Sequence, residues 1–310
     1  MQNLSSVTVF TLHGLNETAS HKYIFFVFTL LVYLLMCLLN LTLIITIIIE
    51  KTLHEPMYIF LCNLCVNGLY GTAGLYPKLL ADFLSDSHEI SYTGCLIQTH
   101  VIYSYVLCEF TILIIMAYDR YVAICKPLQY HSIMTSLTIT MFLLMSWILP
   151  FCETTFALLL TNRLPLCGSH IDKLYCENWS IVKLSCVDTT FNNIYSYILI
   201  LIQLSQALFT VYSYIHIVRA CAKSSEDMSK FMQTCLPHVI CLINFTITML
   251  FDIMYSRYGS RNIPQALRNF LAVEFLIIPP LLNPLIYGLK LSQIRRRVMR
   301  VFSIEVHSLK

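Results

Sequence analysis

Charged side chains are scarce in this chain: 12% of its 310 residues are charged, whereas 57% are hydrophobic. Soluble domains typically carry about 25% charged residues. The composition therefore excludes a water-soluble fold and predicts an integral membrane protein. The net charge of +3 is also too small to indicate a nucleic-acid partner.

The sequence also lacks internal repeats, low-complexity tracts and interdomain linkers, so it predicts one compact bundle. Inverted repeats are expected in a transporter, and their absence disfavours that class. The first 22 residues contain no short apolar core with a small-residue cleavage site. We therefore expect no removable signal peptide and a first span that acts as its own membrane signal.

What the chain does contain is seven long apolar stretches, each near the roughly 20 residues that a membrane-spanning helix needs. They predict an all-α membrane protein, a single seven-transmembrane bundle over residues 23–289 with tails over 1–22 and 290–310. The predicted spans are Ile24–Ile49, Met57–Leu80, Leu96–Tyr118, Ile139–Leu160, Ile194–Val218, Leu236–Met254 and Phe270–Leu289.

Basic residues indicate the orientation of the bundle. Twelve of the 20 lysines and arginines fall on the side that holds the run MAYDRYVAIC, residues 116–125. The positive-inside rule places that side and the C-terminus in the cytoplasm and the N-terminus outside the cell. Three Asn-X-Ser/Thr sequons then lie outside, where glycosylation occurs: Asn3, Asn16 and Asn178.

The third predicted span has a candidate functional residue near each of its ends. Cys95 and Arg120 lie about 37 Å apart on a helix, which exceeds the roughly 30 Å thickness of the hydrocarbon layer. Ile102 and Glu109 lie between them near the same helix face. One face of this helix therefore runs from one water phase to the other.

The cysteines on the predicted outer side do not have the CxxC spacing of a zinc site. Of the 13 cysteines, four lie on the predicted outer side, and they are Cys95, Cys167, Cys176 and Cys186. The oxidising compartment favours two disulfides, for which the residues alone allow three pairings. A copper or zinc site at His170, Cys176 and Glu177 is the weaker alternative, so we expect no metal and no cofactor.

Polar side chains within the spans are costly to bury and predict contacts between helices. Asn40 is expected to face other helices. Glu109 fits two interpretations equally well: a cation site or polar switch, or a carboxyl group satisfied by a neighbouring helix. Asn283 is expected to cap the carbonyl groups that Pro284 leaves free, or to hold water.

Four motifs follow one another along the chain: LHEPMYIFLCNL at 53–64, MAYDRYVAIC at 116–125, Ser213–Tyr214, and PPLLNPLIY at 279–287. Together they resemble the rhodopsin-like G protein-coupled receptors, and most closely the olfactory receptors. This resemblance implies a multi-pass plasma-membrane protein that is not an enzyme. It also implies that the protein binds small odorants and activates a heterotrimeric G protein of the olfactory stimulatory type, which raises cyclic AMP.

The resemblance implies two disulfides that hold the loop after the fourth span as a lid over the bundle, Cys95–Cys176 and Cys167–Cys186. The family's loop motif has a histidine three residues before its Cys-acid pair, and this chain has Lys173 there. A metal-assisted mode of odorant binding therefore lacks one of its ligands.

The resemblance also implies a switch for G-protein coupling at the cytoplasmic end, in which tyrosines regroup around an arginine, and a polar network that includes Asn40. The switch residues are Asp119, Arg120, Tyr121, Tyr214, Asn283, Pro284 and Tyr287. The family's acid in the second span is replaced by Gly68. Of a sodium-binding pair, Glu109 alone remains.

Spacing predicts a ligand pocket in the outer half of the spans. Its predicted lining is Ile102, Tyr103, Val106, Leu107, Ile198, Ile202, Gln203, Met249, Asp252 and Ile253. Such a mostly apolar wall with a few polar points is typical of small-molecule sites, although each residue could instead serve helix packing. No aspartate occurs at the level of Ile102, which disfavours a biogenic amine, but Asp252 and Glu274 are candidates to engage a polar or cationic odorant.

Other classes explain fewer of these features. A receptor of the same fold for a lipid or peptide is the nearest alternative. A channel could use Glu109, Asp252 and Glu274 as an ion path, but it leaves the Asp119–Arg120 pair unexplained. Beyond Lys290, apolar residues at helical spacing alternate with four arginines, which predicts a short amphipathic helix on the lipid headgroups of the inner leaflet.

Overall fold

The computed structural model describes residues 7–15, 21–222, 236–258 and 265–290. Seven helices in these ranges are long and apolar enough to span a membrane, which confirms the predicted bundle. They are α1 (Lys22–Ile49), α2 (Pro56–Leu84), α3 (Tyr92–Cys125), α5 (Ser136–Asn162), α7 (Thr190–Cys221), α8 (Leu236–Tyr258) and α9 (Gln265–Lys290). The predicted amphipathic helix and the sequons at Asn3 and Asn16 lie outside the described residues.

Two short helices, α4 (Tyr130–Ile133) and α6 (Asn178–Val182), lie between the spans. Local chemistry explains where several spans begin. Pro56 occupies the first position of α2, where its missing N–H costs nothing. Ser91 caps α3 by accepting a 3.1 Å hydrogen bond from the N–H of Gly94, and Thr135 caps α5 in the same way.

Helix α3 is the most deeply buried span, and α5 and α7 are the least buried. Glycines let α2 approach α3 closely: a Cβ at Gly71 would collide with the Tyr105 ring, and one at Gly74 would lie 2.7 Å from Val101. The buried Tyr105 hydroxyl donates a 3.0 Å bond to the carbonyl oxygen of Phe275, so α3 is also tied to α9. These contacts place α3 at the centre of the bundle.

The opposite, apolar faces of the peripheral helices form the outer surface. On α7, Phe191 and Leu208 are each 70% exposed, and Leu201 is 64% exposed. Exposed apolar side chains at this density suit a lipid environment rather than water.

A small three-stranded sheet covers the Cys95 end of the bundle, a feature that the sequence did not predict. Its strands are β1 (Val9–Leu12), β2 (Glu89–Ser91) and β3 (His170–Ile171). Strand β1 lies in the middle, antiparallel to β2 and parallel to β3. The strands are 2–4 residues long, too short to show an alternating pattern. Phe10 packs there with the buried Cys95 and Cys176, so the N-terminal segment forms part of the cover.

Candidate functional site

A cavity of about 130 Å³ lies between α3, α5, α7 and α8 near the Cys95 end of the bundle. Its volume is close to that of an apolar protein cavity of about 150 Å³ that holds one benzene molecule. Apolar side chains dominate its wall, among them Val106, Phe110, Met249 and Phe275. The cavity can therefore hold a small organic molecule.

Eight of the ten predicted pocket residues line this cavity: Ile102, Tyr103, Val106, Leu107, Gln203, Met249, Asp252 and Ile253. The prediction is wrong for Ile198 and Ile202, which are 47% and 36% exposed and lie off the cavity wall. Helix α7 instead presents Leu199 and Gln203 to the cavity, together with residues at helical spacing from them. Because residues four apart share a helix face, Ile198 and Ile202 point away from the cavity together.

The loop between α5 and α7, residues 163–189, closes the cavity as a lid. Its two disulfides, Cys95–Cys176 and Cys167–Cys186, have the predicted pairing. The N–H of Cys176 donates a 2.9 Å bond to Gln98 Oε1, and Thr99 Oγ1 donates a 3.2 Å bond to the Cys176 carbonyl oxygen. Because Cys176 is oxidised, it cannot serve the alternative metal site with His170 and Glu177.

A buried ion cluster ties the lid to α8. Lys173 Nζ pairs with Glu177, lies 3.1 Å from Asp252 Oδ1, and donates a 2.6 Å bond to Ser256 Oγ. Glu177 and Asp252 are 2% and 8% exposed. A buried carboxylate is stable when it is paired in this way. Lys173 therefore holds the two acids of the cavity wall together.

Opposing effects act on the charge of Lys173. Burial lowers the pKa of this lysine, but Glu177 and Asp252 raise it by more, and the net result is a pKa above its ordinary value of 10.5. Burial and the same two acids raise the pKa of the lid residue Tyr175, whose neutral hydroxyl donates to Asp252 Oδ2 at 3.4 Å. Lys173 is thus charged and Tyr175 neutral at physiological pH.

This pairing changes the interpretation of two predicted acids. Asp252 lines the cavity, but it already accepts hydrogen bonds from Lys173 and Tyr175, and Glu274 does not line the cavity. The structure therefore argues against the hypothesis that these two carboxylates engage a cationic odorant.

Asn178, a predicted glycosylation site, begins α6 and lines the cavity. It is half-buried, and its Oδ1 accepts a 2.7 Å bond from the buried hydroxyl of Thr161. A glycan is attached at the amide nitrogen rather than at this oxygen. Glycosylation at Asn178 therefore stays a prediction.

Below the cavity, Glu109 is buried and bonded to two amides. Its Oε2 accepts from Asn67 Nδ2 at 2.9 Å, and its Oε1 accepts from Asn283 Nδ2 at 2.7 Å. Of the two interpretations of Glu109, this geometry favours a carboxyl group satisfied by neighbouring helices. Gly68 provides no second acid there, and its position lies against Asn40 and Pro280.

Of the two roles expected for Asn283, capping a carbonyl group freed by Pro284 is wrong, and holding water stays a prediction. Because Pro284 lacks an N–H, the carbonyl oxygen of Pro280, four residues earlier, has no helical partner. Asn40 Nδ2 of α1 donates a 2.8 Å bond to this oxygen. The amide of Asn283 is instead used by Glu109.

At the far end of α3, Arg120 is held by the residue beside it. Arg120 Nε donates a 2.9 Å bond to Asp119 Oδ2, and the Tyr130 hydroxyl donates a 2.8 Å bond to Asp119 Oδ1. Tyr214 and Tyr287 are 8% and 0% exposed. Tyr121 is half-buried. In this conformation Asp119 binds the predicted switch arginine.

The family model described as "Olfactory receptor" matches residues 28–305 of the chain. The chain belongs to the olfactory receptor family. It is 37% identical to human olfactory receptor 52J3 over 275 residues, which cover 88% of each chain. It is 34% identical to human olfactory receptor 51E1 over 310 residues, which cover 99% of this chain and 97% of the relative. It is also 33% identical to human olfactory receptor 13D1 over 313 residues, covering 100% of this chain and 90% of the relative.

Membership in this family establishes several of the predicted properties. Olfactory receptors are G protein-coupled receptors that bind odorants and couple to G proteins, and they are not enzymes. The seven spans are those of a multi-pass plasma-membrane receptor.

Several residues of the receptor's site were missed from the sequence. Thr99 lies four residues after Cys95 and could have been found, because that spacing puts both on one helix face. Lys173 and Glu177 are also four residues apart, but they lie in the loop, so helical spacing does not account for their contact. By contrast, Asn67 and Glu109 lie 42 residues apart in the sequence, so no local pattern predicts their contact.

Proposed function

We propose that the receptor binds a small organic odorant in the lidded cavity and activates a heterotrimeric G protein of the olfactory stimulatory type, raising cyclic AMP. One observation supports this proposal: the apolar cavity is closed by a disulfide-bonded lid and borders α3, the helix that carries Arg120 near its opposite end. Ligand contacts on the α3 and α8 walls can therefore act on the helix that carries the switch.

The mechanism is a shift between two populations of the bundle. In one, Asp119 binds Arg120 and also accepts a hydrogen bond from Tyr130, as described above. In the other, the end of α8 near Arg120 moves outward and exposes the arginine to the G protein. A ligand shifts this equilibrium only through its differential affinity for the two states. Cavity residues on α8, such as Met249 and Ile253, move with that helix, so their contacts with the ligand can differ between the two states.

In this proposal the Cys95 end faces the extracellular medium and the Arg120 end faces the cytoplasm. Both disulfides lie at the Cys95 end, as an oxidising compartment requires. The chain acts as a single receptor domain, with residues 1–22 outside and residues 290–310 inside on membrane lipid.

The test is cyclic AMP accumulation in cells that co-express the receptor with the olfactory stimulatory G protein, exposed to a chemically broad odorant panel. We expect a concentration-dependent response in the parent and its loss in Arg120→Ala. Arg219→Ala is the matched control, because Arg219 is an exposed arginine in the last turn of α7. All variants are compared at equal surface expression. A response that survives in Arg120→Ala would remove the arginine from the mechanism, and a surface-expressed parent silent to the panel would contradict the proposal.

A further inference from the structure

Two polar atoms on the cavity wall have no hydrogen-bond partner among the described residues: Gln203 Oε1 and Trp179 Nε1. Both atoms are buried, and Gln203 as a whole is 7% exposed. A buried polar atom without a partner costs free energy, so such an atom on a cavity wall is placed to bond to water or to a bound molecule. The cavity therefore presents one unused acceptor, on α7, and one unused donor, on the lid.

The charged groups of the wall are already engaged. Glu177 and Asp252 share Lys173, and together with Arg257 the two acids and two bases sum to zero net charge. The Arg257 guanidinium lies 4.3 Å from the centroid of the Trp179 ring and 4.9 Å from that of Tyr197. An anionic ligand near Arg257 would also be placed beside the two acids of the wall. The wall therefore favours a neutral ligand.

We infer that the odorant is a small neutral alcohol whose hydroxyl group bonds to Gln203. A hydroxyl group is both donor and acceptor, so it can satisfy either the Gln203 oxygen or the Trp179 N–H. An ether or carbonyl group can satisfy Trp179 but not the Gln203 oxygen. The apolar side chains around Gln203 accommodate the hydrocarbon part of the molecule. This inference rests on the proposed function, because it takes the cavity as the ligand site.

Trp179 itself provides a binding readout that does not depend on signalling. The chain has two tryptophans, and Trp147 is not on the cavity wall. In a Trp147→Phe background, the fluorescence of the purified receptor in lipid nanodiscs therefore reports on Trp179 alone. The probes are 1-hexanol, its isomer 1-methoxypentane, hexanoic acid and hexylamine, with empty nanodiscs as the blank. The two isomers have the same atoms, but the ether cannot donate a hydrogen bond.

We expect a saturable fluorescence change for which 1-hexanol binds about tenfold more tightly than 1-methoxypentane, the size expected for one hydrogen bond to a buried acceptor. Gln203→Leu should remove this preference, and Gln203→Met, which keeps the side-chain length, should do the same. Gln206→Leu is the matched control: Gln206 Oε1 is also a buried oxygen without a partner among the described residues, but Gln206 is not on the cavity wall. That variant should keep the parent's preference.

Each other outcome identifies what is wrong. Equal binding of the two isomers, a preference that survives in both Gln203 variants, or tighter binding of hexanoic acid or hexylamine would overturn the alcohol inference while leaving the cavity as a ligand site. If no probe gives a saturable change, the cavity does not accept small organic molecules, and the proposed ligand site fails together with the inference.

Discussion

Lys173→Met is expected to lower the free energy of unfolding by about 3–5 kcal/mol, because it leaves the carboxylates of Glu177 and Asp252 buried without their cation. Methionine keeps most of the side-chain length, so the charge is the main property removed. The lid would also lose its bond to Ser256 on α8. The measurement is thermal unfolding of the purified receptor in detergent at pH 7.

Lys22→Met is the matched control for this prediction. Lys22 also forms an ion pair at the Cys95 end, with Asp86 at 2.9 Å, but the two side chains are 30% and 95% exposed. An exposed pair contributes little to stability, so the unfolding midpoint should hardly change. Adding Glu177→Gln and Asp252→Asn to Lys173→Met should restore part of the lost stability. Equal midpoints for Lys173→Met and Lys22→Met would show that the buried cluster does not hold the lid.

The stabilisation by the charged Lys173 should persist throughout the physiological pH range. Because the folded-state pKa of Lys173 is raised above 10.5, this stabilisation is complete below the unfolded-state value and is lost only as the pH rises through the folded-state value. We therefore expect the parent to remain more stable than Lys173→Met at both pH 7 and pH 9. A difference that disappears by pH 9 would mean that Lys173 is not held as the charged ammonium.

Removal of the Cys95–Cys176 disulfide by a double serine substitution is also expected to lower the free energy of unfolding strongly. The bond closes a loop with a sequence separation of 81, for which chain entropy predicts a loss of about 4–5 kcal/mol. The Cys167–Cys186 bond has a separation of 19, so its removal should cost less, about 3 kcal/mol. The comparison uses cell-surface expression and the unfolding midpoint of each double variant. A larger loss from Cys167→Ser with Cys186→Ser would show that chain entropy does not govern this lid.

The seven spans were predictable because a membrane requires long apolar runs, and the sequence displays them directly. The disulfide pairing was not predictable from the residues alone, which allowed three pairings. The resemblance to olfactory receptors indicated which of the three to expect. The prediction of which α7 residues line the cavity was partly wrong. At Ile198 and Ile202, apolar character does not distinguish the cavity side from the lipid side. On a lipid-exposed helix, both sides are apolar.

Contacts between residues that are distant in the sequence could not be predicted. Asn40 and Pro280 lie 240 positions apart, and Lys173 and Asp252 lie 79 apart. Each bond depends on how whole helices are arranged, so no local spacing predicts it. The correct class of partner could be anticipated in both cases, because a buried amide or carboxylate needs a hydrogen-bond or ionic partner.

The central claim is that the odorant acts from the cavity, and filling the cavity tests it most directly. Ala207 lines the cavity, whereas its neighbour Leu208 is 70% exposed on the lipid side. The measurement is the cyclic AMP concentration–response curve of one activating odorant for the parent, Ala207→Trp and Leu208→Trp at equal surface expression. We predict that Ala207→Trp lowers potency at least about tenfold, because the indole occupies the ligand's space, and that Leu208→Trp retains the parent's potency. Unchanged potency in Ala207→Trp would contradict binding in this cavity.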